Sequence, residues 1–239
     1  MLSVKWNRVL RWLNRIRTIL HRAASRTAAR ADAAQHAAGA GDMIRAVILD
    51  WGGVLMRTED AGPRLAWDAR LGLEPGSVNR LVFKSSAWQR ALVGQMSEGE
   101  LWADVGARLG LADGALAEFQ RDFWAGDRLD GSLATLIRGL RPRYKTALLS
   151  NFTARLRDEL AQHGLMDAFD AIIISGEVGI AKPDARVYRL AARRLGMPPG
   201  ECLFVDDFEE NIASARAVGM QTLHFAPADA AMAELRKLT

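Results

Sequence analysis

Cysteine is nearly absent. The chain of 239 residues has one, Cys202, so no internal disulfide can brace the fold. It lies in the apolar run Cys202-Leu203-Phe204-Val205 and reads as a small core residue rather than a nucleophile, because free cysteine behaves as a buried hydrophobe. That usage agrees with a reducing cytoplasm, the expected location. Long hydrophobic runs are missing as well. None approaches the roughly 18 residues of a membrane-spanning helix, and no apolar core of about 7–15 residues marks a secretory signal. Of four histidines, His163 falls at a helix end and His224 inside a strand. Neither has a partner in the pattern that would make it a catalytic base.

A basic surface on the main body is also lacking. The formal net charge is +4, but it is unevenly placed. Residues 1–42 hold eight Lys/Arg and two acids, a net of +6, and the remainder holds 24 basic and 26 acidic residues, a net of −2. The body therefore gives no case for nucleic-acid binding. Within the extension, Leu2, Trp6, Val9, Leu13, Ile16 and Leu20 recur at helical spacing, with Arg8, Arg11, Arg15 and Arg22 largely on other faces. Residues 23–41 are Ala-rich and close on Gly39-Ala40-Gly41, a linker composition. A basic amphipathic helix over residues 2–22 suits an anionic membrane surface or a partner protein. The favoured expectation is plainer: a leader without catalytic duty, ahead of a domain that begins at Met43.

What is present starts there. Ile44-Arg45-Ala46-Val47-Ile48-Leu49 is a short apolar run closed by Asp50 and the Gly52-Gly53 pair, which suits a buried parallel strand ending in a tight turn. Similar runs follow at 146–149, 171–174, 202–205 and 221–225. Helical stretches lie between them: 153–163 before Gly164, a helix capped by Asp184 and stopping near Gly196, and Glu209–Val218 before Gly219. Strands alternating with helices imply an α/β fold, a doubly wound parallel sheet with helices on both faces. Residues 60–125 have no such strand run. They show Trp, Leu and Phe at helical spacing and a capping-box candidate, Ser97-Glu98-Gly99-Glu100, before a helix ending around Leu109. The expected organisation is an extension over 1–42, an α/β core over 43–58 and 126–239, and a helical cap over 59–125. The cap enters after the first strand and covers the sheet's carboxyl edge, where α/β sheets bind ligands.

Four polar elements end or follow successive strands: Asp50, Ser150-Asn151, Lys182-Pro183 and Asp206-Asp207. In a parallel sheet these ends converge on one edge, gathering three carboxylates, a hydroxyl, an amide and an ammonium. Paired carboxylates repel unless a cation lies between them. Oxygen-only ligation suits Mg²⁺ better than Zn²⁺.

These segments, Asp50-Trp51-Gly52-Gly53-Val54-Leu55, Leu149-Ser150-Asn151, Gly179-Ile180-Ala181-Lys182-Pro183-Asp184 and Val205-Asp206-Asp207, resemble in order and spacing the haloacid dehalogenase-like (HAD) hydrolase superfamily. The resemblance runs from Met43 to about Phe225. It implies a Rossmann-like core and a Mg²⁺-dependent phosphatase acting on a small phosphorylated metabolite. Asp50 is then the nucleophile, Ser150 and Asn151 bind the phosphoryl group, and Lys182 neutralises charge between nucleophile and phosphate. Asp50, the Gly52 carbonyl, Asp206 and Asp207 hold the metal, and Glu210-Asn211 anchors that loop or starts the helix. Family phosphatases usually carry a second Asp two residues after the nucleophile as acid/base, where this chain has Gly52. An Asp-x-Gly motif is similar to that of sugar-1-phosphate phosphatases. A metal-independent 2-haloacid dehalogenase and a non-catalytic phosphate-ester binding module are the rival implications. Trp67, Asp68, Arg70, Trp88, Arg90 and Trp102 of the cap read as packing or solvated surface rather than substrate contacts.

Overall fold

The computed structural model describes residues 43–239. The amphipathic and Ala-rich stretches of residues 1–42 lie outside them. The elements run, in chain order, β1 (Ala46–Leu49), β2 (Met56–Thr58), then five helices, α1 (Gly62–Arg70), α2 (Ser77–Phe83), α3 (Ser86–Ala91), α4 (Glu98–Leu109) and α5 (Asp113–Trp124). There follow β3 (Asp127–Leu129), α6 (Gly131–Leu140), β4 (Lys145–Ser150), α7 (Leu156–Gln162), β5 (Ala171–Ile174) and α8 (Ser175–Val178). The chain continues with α9 (Ala185–Leu195), β6 (Cys202–Asp206), α10 (Glu209–Ala217), β7 (Gln221–His224) and α11 (Ala228–Arg236). Among the described residues no helix is long and apolar enough to cross a membrane.

Five strands form one parallel sheet in the order β5-β4-β1-β6-β7. All four residues of β1 are buried, as its continuous apolar run requires of a strand covered on both faces. The period-2 alternation divides it. Val47 and Leu49 enter one hydrophobic cluster with Leu133, Ile137, Leu156, Leu160 and Leu235 of α6, α7 and α11. Ala46 and Ile48 enter the other, with Val187, Tyr188, Ala191, Ile212 and Ala215 of α9 and α10. The result is a three-layer sandwich with β1 at its centre. Asp184 caps α9 by accepting from the Arg186 N–H, and Gly196 ends that helix at φ 68°.

The five helices between β2 and β3 pack their own apolar cluster, including Trp67, Val82, Trp88, Leu101, Trp102, Phe119 and Phe123. The capping box is formed: Ser97 Oγ accepts from Glu100 N–H and the Glu100 side chain accepts from Ser97 N–H. Asp68 is buried and accepts from the N–H groups of Gly76 and Val78 at 2.6 and 2.8 Å, which fixes the turn into α2. Trp67 and Trp102 donate through Nε1 to Asp122 and Glu98. Arg70 pairs with Glu118 at the surface, and Arg90 donates to the Gln95 carbonyl.

Sequence patterning does not reveal the antiparallel pair β2–β3. It forms a neck where the chain leaves the core and returns. The Gly126 carbonyl accepts from both Glu59 and Asp60 N–H. A Cβ at Gly126 would lie 1.7 Å from the Asp60 carbonyl oxygen, so only glycine allows the two backbones to cross here.

Candidate active site

The sheet brings together residues from four chain segments. Asp50 leaves the end of β1, its N–H donating to the Val205 carbonyl of β6. Its Oδ1 accepts from Trp51 N–H at 2.6 Å and from Lys182 Nζ at 2.8 Å. Lys182 Nζ also lies 2.7 Å from Asp206 Oδ2, so one ammonium, 1% exposed, bridges two carboxylates. Burial pulls the Lys182 ammonium toward its neutral form, but the charges of Asp50 and Asp206 more than reverse that, and its pKa lies above the usual lysine value. Burial pushes the Asp50 carboxyl well up, opposed by Lys182 and reinforced by Asp206.

Asp206 is fully buried and oriented by further donors: Phe208 N–H on Oδ1 at 2.8 Å, and Asn211 Nδ2 near both oxygens at 3.0 and 3.1 Å. Asn211 is held in turn by the Tyr188 hydroxyl on its carbonyl. Asn211 thus anchors the Asp206 loop from within the first turn of α10. Asp207 differs. Its carboxyl is pushed up by burial and by the charge of Asp206, and its Oδ1 is buried with no hydrogen-bond partner. Gly53, at φ 77°, lets Asp207 approach: a Cβ there would lie 2.1 Å from Asp207 Oδ2. His224 Nε2 lies 2.9 Å from the Asp207 carbonyl oxygen and pins the loop from β7.

Ser150 is buried at the end of β4. Asn151 makes contacts the sequence does not disclose. Its Oδ1 accepts from Lys182 N–H at 2.7 Å and its Nδ2 donates to the Lys182 carbonyl at 2.8 Å, so its amide clamps the lysine backbone on both sides. Gly52 lies in the turn after Asp50, is exposed, and has open space where a Cβ would point.

One oxygen each from Asp50, Asp206 and Asp207 lie within 4.8 Å of one another. Three carboxylates against one ammonium leave excess negative charge in a mostly buried centre. Buried acceptors without partners are rare in native proteins. The donor set is all oxygen, and the unpartnered Asp207 Oδ1 faces no competing donor. The residues fit a hard divalent cation of the Mg²⁺ kind.

A buried carboxylate at the end of the central strand thus lies beside an acidic pair that ends the neighbouring strand of a doubly wound sheet. The family is then plain: the chain matches the haloacid dehalogenase-like hydrolases over residues 44–219 and belongs to them. It is 28% identical over 197 residues to a sesquiterpene phosphatase of Aspergillus oryzae, covering 82% of this chain and 96% of the relative. A HAD family enzyme from Bacteroides thetaiotaomicron, solved with magnesium and inorganic phosphate, shares the fold at TM-score 0.64 and 20% identity, over 76% of this chain and 93% of that one. L-2-haloacid dehalogenase from Xanthobacter autotrophicus aligns at TM-score 0.56 and 27% identity, over 76% and 77% of the two chains.

Proposed function

We propose that this chain is a Mg²⁺-dependent phosphatase that hydrolyses a small phosphorylated metabolite through an aspartyl-phosphate on Asp50. The observation that carries the reading is the unpartnered, buried Oδ1 of Asp207 beside Asp206 and Asp50. A cluster that attacks without a metal has no use for such an oxygen. The relative named a sesquiterpene phosphatase supports the same chemistry.

Asp50, the Gly52 carbonyl, Asp206 and Asp207 would hold Mg²⁺, which supplies positive charge against the carboxylates and the phosphoryl group. The Asp50 carboxylate attacks phosphorus, the bond to the ester oxygen breaks, and water later cleaves the acyl phosphate to free Asp50 and inorganic phosphate. Lys182, fixed by the Asn151 clamp, offsets charge between nucleophile and phosphoryl oxygens. Ser150 and the remaining N–H of Asn151 donate to those oxygens. The helices of 62–124 form the cap over this edge. The test is phosphate release from a panel of phosphorylated metabolites with Mg²⁺ and with excess chelator. Release that needs Mg²⁺ supports the reading. Halide release from 2-haloacids in chelator would replace it with a dehalogenase, and phosphate binding without turnover would replace it with a binding module.

Asp207→Asn isolates the metal. Its carboxylate does not touch Lys182, so the ion pairs of Asp50 and Asp206 survive. The Mg²⁺ concentration for half-maximal activity should rise about tenfold or more, while the melting temperature in chelator holds or rises as buried like charge is relieved. An unchanged Mg²⁺ requirement would remove Asp207 from the ligand set.

Gly52 bears on the leaving group. No acid stands at this position, so the ester oxygen departs with more negative charge, and comparatively acidic leaving groups such as sugar 1-phosphates and aryl phosphates should be favoured. Across aryl phosphates of graded leaving-group pKa, kcat/KM of the wild type should fall steeply. Gly52→Asp, whose side chain enters open space, should flatten the slope and gain about a hundredfold on the most basic leaving groups. A flat wild-type profile would show that another group supplies the proton.

A further inference from the structure

Asn151 can hold Lys182 only as firmly as its own backbone is held. The two residues that follow it, Phe152 and Thr153, are gripped from both sides of the seam between the core and the helices inserted after β2. On the core side, Phe152 N–H donates to Ser175 Oγ at 3.1 Å, and the Phe152 carbonyl accepts from Gly176 N–H at 3.0 Å. On the helical side, Trp88 meets the Phe152 ring edge-on and Trp124 meets it at a tilt, each at 5.7 Å between ring centroids. Trp124 is enclosed further by the guanidiniums of Arg64 and Arg155, and its buried Nε1–H has no partner. Its part here is packing against Phe152.

The polar tie across the seam runs from Thr153 to Glu98. Thr153 is buried, and its hydroxyl donates to Glu98 Oε2 at 2.6 Å. Glu98 is the first residue of α4, and its Oε1 accepts from Trp102 Nε1 of the same helix at 2.7 Å. The Arg155 guanidinium lies 3.9 Å from that Oε1. One carboxylate oxygen thus anchors the side chain within α4 and the other reaches the core. A hydroxyl-to-carboxylate bond is charge-assisted and stronger than a neutral one, and the start of a helix favours the negative charge. In the turn before α4, a Cβ at Gly94 would lie 2.5 Å from the Gly176 carbonyl oxygen. The helical backbone therefore rests directly on the residue that holds Phe152.

We infer that Glu98 is a positioning residue: acting through Thr153, it fixes the 151–153 backbone so that the Asn151 amide stays on the Lys182 backbone. The inserted helices are then half of the mount for the lysine that bridges Asp50 and Asp206. The effect on turnover rests on the phosphatase reading. The positioning itself does not. A displacement of about 1 Å at a reacting group can cost about a hundredfold in rate. With Ser175 still gripping Phe152, loss of the Glu98 tie should cost less, about five- to tenfold.

Amide exchange of the full chain, followed by NMR without substrate, tests the mount directly. Lys182 N–H donates to Asn151 Oδ1, so its exchange rate reports the clamp. Asn151→Ala sets the rate of the released amide. Thr153→Val keeps the shape and removes the donor. It should raise the Lys182 rate about fivefold or more toward that limit, while the amides of β1 keep theirs. Thr153→Ser, which keeps the hydroxyl, should stay near wild type. Glu98→Ala should raise the Lys182 rate as Thr153→Val does, and the double variant should raise it no further. In phosphate release, Thr153→Val should lower kcat about five- to tenfold in the wild-type background, but by less than about twofold in Asn151→Ala, where no clamp is left to position.

An unchanged Lys182 rate in Thr153→Val overturns the assignment. So does an equal acceleration in β1, which would mark a general loss of stability, or a kcat loss that multiplies in full with that of Asn151→Ala. A wild type that releases no phosphate from any ester defeats the phosphatase reading, and the exchange rates still decide the mount.

Discussion

Asp50→Asn should lower phosphate release by about a thousandfold or more, because under the proposed mechanism it removes the attacking oxygen while leaving the shape intact. The fold should not suffer. An asparagine Oδ1 can still accept from Trp51 N–H and Lys182 Nζ, and the change relieves a buried carboxylate already driven toward its neutral form. The melting temperature in chelator should stay within a few degrees of wild type or rise. Mass spectrometry must first exclude deamidation back to aspartate. Near-normal turnover from a verified variant would end the covalent mechanism.

Lys182→Met should damage both properties. The ammonium lies 2.8 Å from Asp50 and 2.7 Å from Asp206, and its removal leaves two buried carboxylates facing each other. Breaking a buried pair in this way typically costs about 3–5 kcal/mol. At about 2–4 °C per kcal/mol for a body of this size, the melting temperature in chelator should drop by roughly 6–20 °C. Mg²⁺ should restore part of this, as cationic charge returns to the cluster. Turnover should fall by about a hundredfold or more even with Mg²⁺. Calorimetry with and without Mg²⁺, beside steady-state kinetics, separates the two losses. A variant as stable as wild type in chelator would show that Lys182 does not balance these carboxylates.

Much of this architecture is legible in the sequence because parallel strands announce themselves. The runs ending at Leu49, Leu149, Ile174 and Val205 are continuously apolar, and polar residues at their ends must converge once the strands align. That logic is enough to bring Asp50, Lys182 and Asp206 into contact. The neck is not legible: β2 and β3 are three residues each, and Arg57 and Arg128 face each other in the pair, with no apolar period to mark them. Nor does sequence show which atoms a side chain will meet. The resemblance assigns Asn151 to the phosphoryl group and gives no sign that both ends of its amide lie on the Lys182 backbone. The tryptophans of the helical segment share one pattern, and only tertiary packing separates Trp67 and Trp102, whose N–H groups are matched, from Trp124. His224 shows no partner in sequence because its contacts, the Asp207 carbonyl at 2.9 Å and the Glu209 carboxylate at 3.6 Å, are brought to it by the fold.

The neck also bears on how such a protein can change over time. With Met56 paired to Leu129 and Asp60 held to Gly126, the two points where the chain exits and re-enters the sandwich are tied together. For the sandwich, everything between them is a closed loop. Its closure entropy grows only with the logarithm of its length, about 0.6 kcal/mol for each doubling. Since those helices also bury an apolar cluster of their own, they form an exchangeable cassette in a fixed socket. That cassette can therefore be rewritten without moving a strand of the sheet.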